Sequence, residues 1–143
     1  MKITFSILLA VFLLAQLIRP TNEDYKYDKS LALITTPKVE AILKKACYDC
    51  HSDNIVYPWY SQIAPLSWVI DSHVVTGRKA VNFSRWENIP KDIKKKRLDR
   101  AIKTVNVNMM PLPSYTWFHS DAILTNDEKK ILNNYFKKLL ETL

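Results

Sequence analysis

Five consecutive residues carry the most specific chemistry in the chain: Cys47-Tyr48-Asp49-Cys50-His51. The C-x-x-C-H spacing reads as a site of covalent c-type haem attachment. Its two thiols can reach the two vinyl groups on one edge of a porphyrin. The next residue then lies under the iron, where its imidazole can serve as the proximal ligand. These are the only two cysteines in the chain, so no other pairing competes for them. Three other readings use the same residues: a short-range disulfide, a redox C-x-x-C pair, or half of a zinc site. A redox pair is expected beside a βαβ pattern, and the sequence has none. A tetrahedral zinc site needs about four ligands, so His73 or His119 would have to join the cysteines.

A haem held this way has a sixth iron position, and its candidates are Met109, Met110, His73 and His119. Lysine is ordinarily protonated near neutral pH, its unperturbed pKa being ~10.4. Met110 leads, because Pro111 follows it directly and biases it towards an extended backbone. A thioether would then be held at one position in a loop. Alternation turns Met109 the other way, where filling the core is its ordinary role. His73 or His119 would give bis-histidine ligation with a lower potential. An open sixth position is the remaining alternative.

The elements that must position these groups read as helices. Thr36-Pro37 has the form of an N-cap followed by proline at the first helical position. Val39, Ile42, Leu43 and Ala46 follow at helical spacing, and the cysteines are expected to continue that face. Tyr57-Pro58-Trp59-Tyr60 and Ile63-Ala64-Pro65-Leu66-Ser67-Trp68 are too rich in proline for one helix. Tyr57 and Trp59 combine apolar bulk with one donor each, which suits the rim of a haem crevice. An ordinary loop packed on the core explains the same residues. A helix is expected from Trp68 to Val75, ending at Gly77 as a left-handed C-cap. Arg78 and Lys79 follow, either of which could face a haem propionate, although solvated surface is the usual fate of such side chains.

Asn82 to Trp86 is a second aromatic connector. Pro90 opens a basic helix to about Val105, with seven basic side chains against two acidic between residues 91 and 103. Its lysines are expected to cover the face opposite Ile93, Leu98, Ala101, Ile102 and Val105. That face suits an acidic partner or anionic lipid, and a merely solvated surface is its commoner role. Residues 106–114, with two prolines, read as an extended loop. Thr125-Asn126-Asp127-Glu128 is a capping box opening a last helix whose buried stripe is Ile131, Leu132, Tyr135, Phe136, Leu139 and Leu140.

The chain has 143 residues, 48% of them hydrophobic, enough for one domain with a real core. Its single glycine argues against a sandwich or barrel, which needs many tight turns. The formal charge is +7; no nucleic-acid partner is expected. Ile3 to Ile18 is an uncharged run between Lys2 and Arg19. It would span about 24 Å as a helix, short of the ~30 Å hydrocarbon core. No small-residue cleavage site follows it. Residues 1–19 therefore read as an uncleaved signal anchor, with a cleaved signal peptide as the alternative. Residues 20–35 read as a tether and 36–143 as the haem domain, exported to the periplasmic side of a bacterial inner membrane. Export suits the motif, because covalent haem c is made outside the bacterial cytoplasm.

The order of parts resembles a class I cytochrome c: a helix entering C-x-x-C-H, a later Met-Pro loop, and a capped C-terminal helix. The chain is more closely similar to a bacterial haem-binding domain family. The residues that carry this likeness are Cys47 to Ser52, Pro58-Trp59-Tyr60, Ile63-Ala64-Pro65, Ser67-Trp68, Gly77-Arg78, Asn82-Phe83-Ser84, Trp86 and Met110-Pro111. The likeness extends over roughly residues 36–140. It implies an all-α, cytochrome c-like fold, with its first and last helices crossing near one haem. It implies thioethers at Cys47 and Cys50, His51 as proximal ligand and a later methionine as distal ligand. The expected function is electron transfer with a redox partner. A haem sensor or peroxidase-like module with an open sixth position is the competing reading, and a non-haem module with structural cysteines is the third.

Overall fold

The computed structural model describes residues 1–20 and 27–143. Seven α-helices and several short 3-10 turns make up the described residues, and there is no strand among them. The expected all-α class is what the chain adopts. The helices are α1 (Lys2–Ala15), α2 (Pro37–Ala46), α3 (Tyr48–His51), α4 (Leu66–Ala80), α5 (Lys91–Asn106), α6 (Pro113–Thr116) and α7 (Asn126–Glu141).

Two helix starts follow from local chemistry. The Thr36 hydroxyl accepts from the Val39 amide at 3.4 Å, with Pro37 in the first turn of α2. Thr125 and Glu128 form a reciprocal box at the start of α7. Amphipathic faces then bring α2, α5 and α7 together. Leu43, Leu98 and Leu132, one from each, are almost fully buried, and each such burial contributes about 1.5–3 kcal/mol. Phe83 stacks on Phe136 of α7 with ring centroids 6.4 Å apart. The aromatic connector is thereby fixed to the C-terminal helix. Leu33 is buried in the same core, and its amide donates to the Phe83 carbonyl at 2.8 Å. The chain is therefore already packed on the domain by residue 33. Part of the expected tether, residues 21–26, lies outside the described residues.

Three expectations are corrected. Helix α4 does not stop at Gly77 but runs through it to Ala80. The glycine has no left-handed conformation; its role is close packing, described below. On α5, Lys94 does not lie on the solvent face. It is buried, donates to Glu87 at 3.0 Å and sits 5.2 Å from the ring centroid of Trp86. The proline-rich loop before α7 contains a helical turn, α6, with Pro113 in its first turn, where a missing N–H costs nothing.

Helix α1 has 14 residues, a length of about 21 Å at 1.5 Å per residue. No helix among the described residues is long and apolar enough to cross a membrane, so the expected anchor is not supported by a spanning helix. None of the residues of α1 is buried. Its C-terminal end is tied to the domain: Gln16 exchanges hydrogen bonds with the backbone of Ala64, at 2.9 and 3.2 Å, and the Trp68 indole donates to the Ile18 carbonyl at 2.8 Å.

Candidate functional site

The cysteines do not simply continue α2. That helix ends at Ala46, and Cys47 breaks it with φ −131° and ψ −39°. A new turn then forms, in which the amides of Cys50 and His51 both donate to the Cys47 carbonyl, at 3.2 and 2.9 Å. The break sends the thiols to different surroundings. Cys47 packs against the hydrophobic core, whereas Cys50 lines a cavity. Both are free thiols. Burial pushes the Cys47 thiol up to about 12 and the Cys50 thiol up to about 11. Redox-active C-x-x-C cysteines are instead lowered by an electropositive setting, so this environment does not suit a dithiol oxidoreductase.

His51 is held by one nitrogen. Its Nδ1 lies 3.0 Å from the Val81 carbonyl at the end of α4. A carbonyl only accepts, so Nδ1 carries the proton and Nε2 keeps its lone pair. Burial lowers the pKa of the imidazole and so favours its neutral form. A metal-binding histidine characteristically has its other ring nitrogen fixed in this way.

The turn bearing these groups is braced from behind. Gly77 of α4 faces the backbone of Cys50 closely enough that a Cβ would stand 2.5 Å from its carbonyl oxygen. Buried Ser52 donates to the Tyr48 carbonyl at 2.7 Å. Asp53, with a side chain only 1% exposed, accepts from Arg85 Nε at 2.7 Å and Asn82 Nδ2 at 2.8 Å. Arg78 Nε donates to the Ser52 carbonyl at 3.0 Å and lies 3.7 Å from Asp53. The aromatic connector and the end of α4 thus hold the segment after His51 in place.

In front lies a cavity of about 490 Å³, within the range of pockets that bury a small-molecule cofactor. Its walls come from Asp49 and Cys50, from residues 55–60, from the Leu66, Val69, Ile70, His73 and Val74 face of α4, and from six of residues 112–119, Tyr115 and His119 among them. Tyr57 and Trp59 belong to the wall, as do His73 and His119. Cys47, His51, Arg78, Met109 and Met110 do not line it; Cys47 and His51 adjoin it through Cys50 in the same turn. Met110 is half-buried against the hydrophobic core, and Met109 is exposed.

One wall residue, Tyr115, escaped the reading of the sequence. The Tyr115 hydroxyl donates to Asp49 Oδ2 at 2.7 Å, joining α6 to the centre of the C-x-x-C-H turn. The same ring stacks on His119, with centroids 4.1 Å apart and planes 14° from parallel. His119 Nδ1 lies 3.1 Å from the Tyr115 carbonyl, and its Nε2 is 3.4 Å from the Tyr60 hydroxyl. The four-residue step from Tyr115 to His119 and Pro113 as a helix start were the available signals.

The donor set fits haem: two adjacent free thiols, an imidazole with Nδ1 fixed, and an apolar cavity reached by one of the thiols. Among the described residues, no group of three or more His, Cys, Asp or Glu side chains is gathered to hold a bare metal ion. No curated protein and no solved structure matches the chain. A family model described as a haem-binding domain matches residues 10–138. Most of the chain lies within that match, and the protein belongs to the haem-binding domain family.

Proposed function

We propose that the domain carries one haem c, attached through Cys47 and Cys50 with His51 as its proximal ligand, and that it transfers electrons as a class I cytochrome c does. The observation that carries this reading is the Nδ1–H of His51 donated to Val81 beside two free thiols, one of which opens on the aromatic-lined cavity. In such a site the iron supplies a one-electron couple. The chain's own residues do the rest. Val81 fixes the imidazole tautomer, Gly77 lets α4 approach the Cys50 backbone, and the aromatic walls would pack on the cofactor. Exposed Lys91, Lys95, Lys96 and Arg100 on α5 offer a docking face for an acidic redox partner.

The same reading places the domain on the periplasmic side of a membrane. Helix α1 has no charge after Lys2, is apolar throughout from Ile7 to Ala15, and has no buried residue. A helix with that character needs an apolar environment, and residues 3–18 would rest in lipid. A soluble periplasmic form beginning near residue 20 would instead mark this run as a cleaved signal peptide.

The test is a haem stain of the denatured protein expressed with a haem c maturation system. The unmutated chain should retain stain, and Cys47→Ala with Cys50→Ala should lose it. Stain surviving the double substitution would end the covalent reading. A sensor or peroxidase-like role requires an open sixth position, and carbon monoxide binding to the reduced unmutated protein would favour it over the carrier.

A further inference from the structure

We propose that His119 is the second axial ligand, so that the iron is held between two imidazoles fixed in the same manner; this rests on the haem reading above. His51 and His119 each have Nδ1 at a backbone carbonyl, Val81 at 3.0 Å and Tyr115 at 3.1 Å. Each is thereby set in the tautomer that leaves Nε2 as a donor for iron. His119 and Cys50 line the same cavity. The other contact of His119 Nε2, to the Tyr60 hydroxyl, is 3.4 Å long, well outside the usual range for a hydroxyl donor. Little is lost in giving it up.

The segment carrying His119 is also tied to the attachment motif. Its ring stacks on Tyr115, whose hydroxyl is held by Asp49, between the two cysteines. The competitors lack such support. His73 shares the cavity, but its ring makes no hydrogen bond among the described residues, so nothing fixes its tautomer. Met110 packs against the hydrophobic core, and no hydrogen bond among the described residues ties it to the turn that carries Cys50 and His51.

The test uses the full chain carrying its haem, with a pyridine haemochrome spectrum recorded first. If that spectrum shows no haem c, the haem reading falls and the ligand assignment falls with it. With haem present, the oxidised protein should be low-spin and lack the near-infrared sulfur-to-iron charge-transfer band. His119→Gly should become high-spin and bind carbon monoxide when reduced, and added imidazole should restore the low-spin spectrum. His119→Met should gain the sulfur-to-iron band and raise the potential. His73→Ala should leave the spectrum unchanged. A sulfur-to-iron band in the unmutated protein that disappears in Met110→Ala would overturn the assignment in favour of Met110. A low-spin spectrum unaltered in His119→Gly would equally overturn it.

Discussion

Gly77 and Cys50 meet backbone to backbone: a Cβ on residue 77 would stand 2.5 Å from the Cys50 carbonyl oxygen and 3.1 Å from its carbonyl carbon and Cβ. The neighbour is backbone inside a hydrogen-bonded turn, so it has little room to give way. Gly77→Ala gains about 1 kcal/mol of helix propensity against an overpacking cost of about 1–3 kcal/mol. The variant should therefore be destabilised by about 1 kcal/mol, read as a lower urea midpoint with an unchanged slope. A raised midpoint would mean that α4 and the Cys50 turn can separate at no cost.

Asp53 accepts from Arg85 and Asn82 and is almost wholly enclosed. Asp53→Asn keeps the volume but removes the charge and turns an amide N–H₂ towards existing donors. Breaking a buried pair on one side costs about 3–5 kcal/mol. Arg85 is 38% exposed and can turn partly to water, so the expected loss is nearer 2 kcal/mol. Thermal unfolding of the haem-loaded protein measures it. A change below a few tenths of a kcal/mol would show that the network does not brace the segment after His51.

What was legible in the sequence was what neighbouring residues determine. Thr36-Pro37 and Thr125-Glu128 sit within one helical turn of the amides they serve, so their roles could be read directly. The C-x-x-C-H pentad was legible for the same reason. Gly77 was misread because its constraint comes from Cys50, an element distant in sequence and touching only in the fold. Lys94 was assigned to solvent because its partners, Trp86 and Glu87, sit in a connector without helical period. Tyr115 was obscured by the prolines before it, which suggest an extended chain where Pro113 in fact begins a turn of helix; His119 stood out as a possible ligand, but its stacking on Tyr115 did not.

The acid limb of stability should depend on Glu128. Its carboxylate takes a hydrogen bond from Lys45 at 2.6 Å and further ones from the Thr125 amide and hydroxyl at 2.9 and 3.0 Å. The lysine contact first, and then the Thr125 donors against some burial, hold its pKa below the ordinary glutamate value. The folded state therefore binds this proton less readily than the unfolded chain. The contribution is complete above the ordinary glutamate value of ~4.3 and is lost as pH falls through the lowered one. Both side chains are partly solvated, so it amounts to no more than about 1 kcal/mol. Glu128→Gln should lower stability at neutral pH by that order and flatten the decline below pH ~4.5. An acid limb identical to that of the unmutated protein would place the effect on other carboxylates.

Tyr115 links the attachment turn to the segment that carries His119. Its hydroxyl donates to Asp49 at 2.7 Å, while its ring stacks on His119. Tyr115→Phe keeps the stack and removes only the hydrogen bond, leaving an Asp49 oxygen without its donor. A hydrogen bond to a charged acceptor contributes about 1.5–3 kcal/mol; Asp49 can recruit water at the cavity edge, so a loss of about 1–2 kcal/mol is expected. The loss should be local, appearing as faster amide exchange over residues 113–119 with little change in α5 and α7. Alkaline pH offers a second measurement. Burial first, and then the Asp49 contact, raise the Tyr115 pKa above the ordinary tyrosine value. The folded state then keeps a proton that the unfolded chain releases. Stability from this group is complete below pH ~10 and declines above it. Tyr115→Phe should be less sensitive than the unmutated protein across that range. If exchange in residues 113–119 is unchanged and the alkaline limbs coincide, the Tyr115–Asp49 contact does not hold the two cavity walls together.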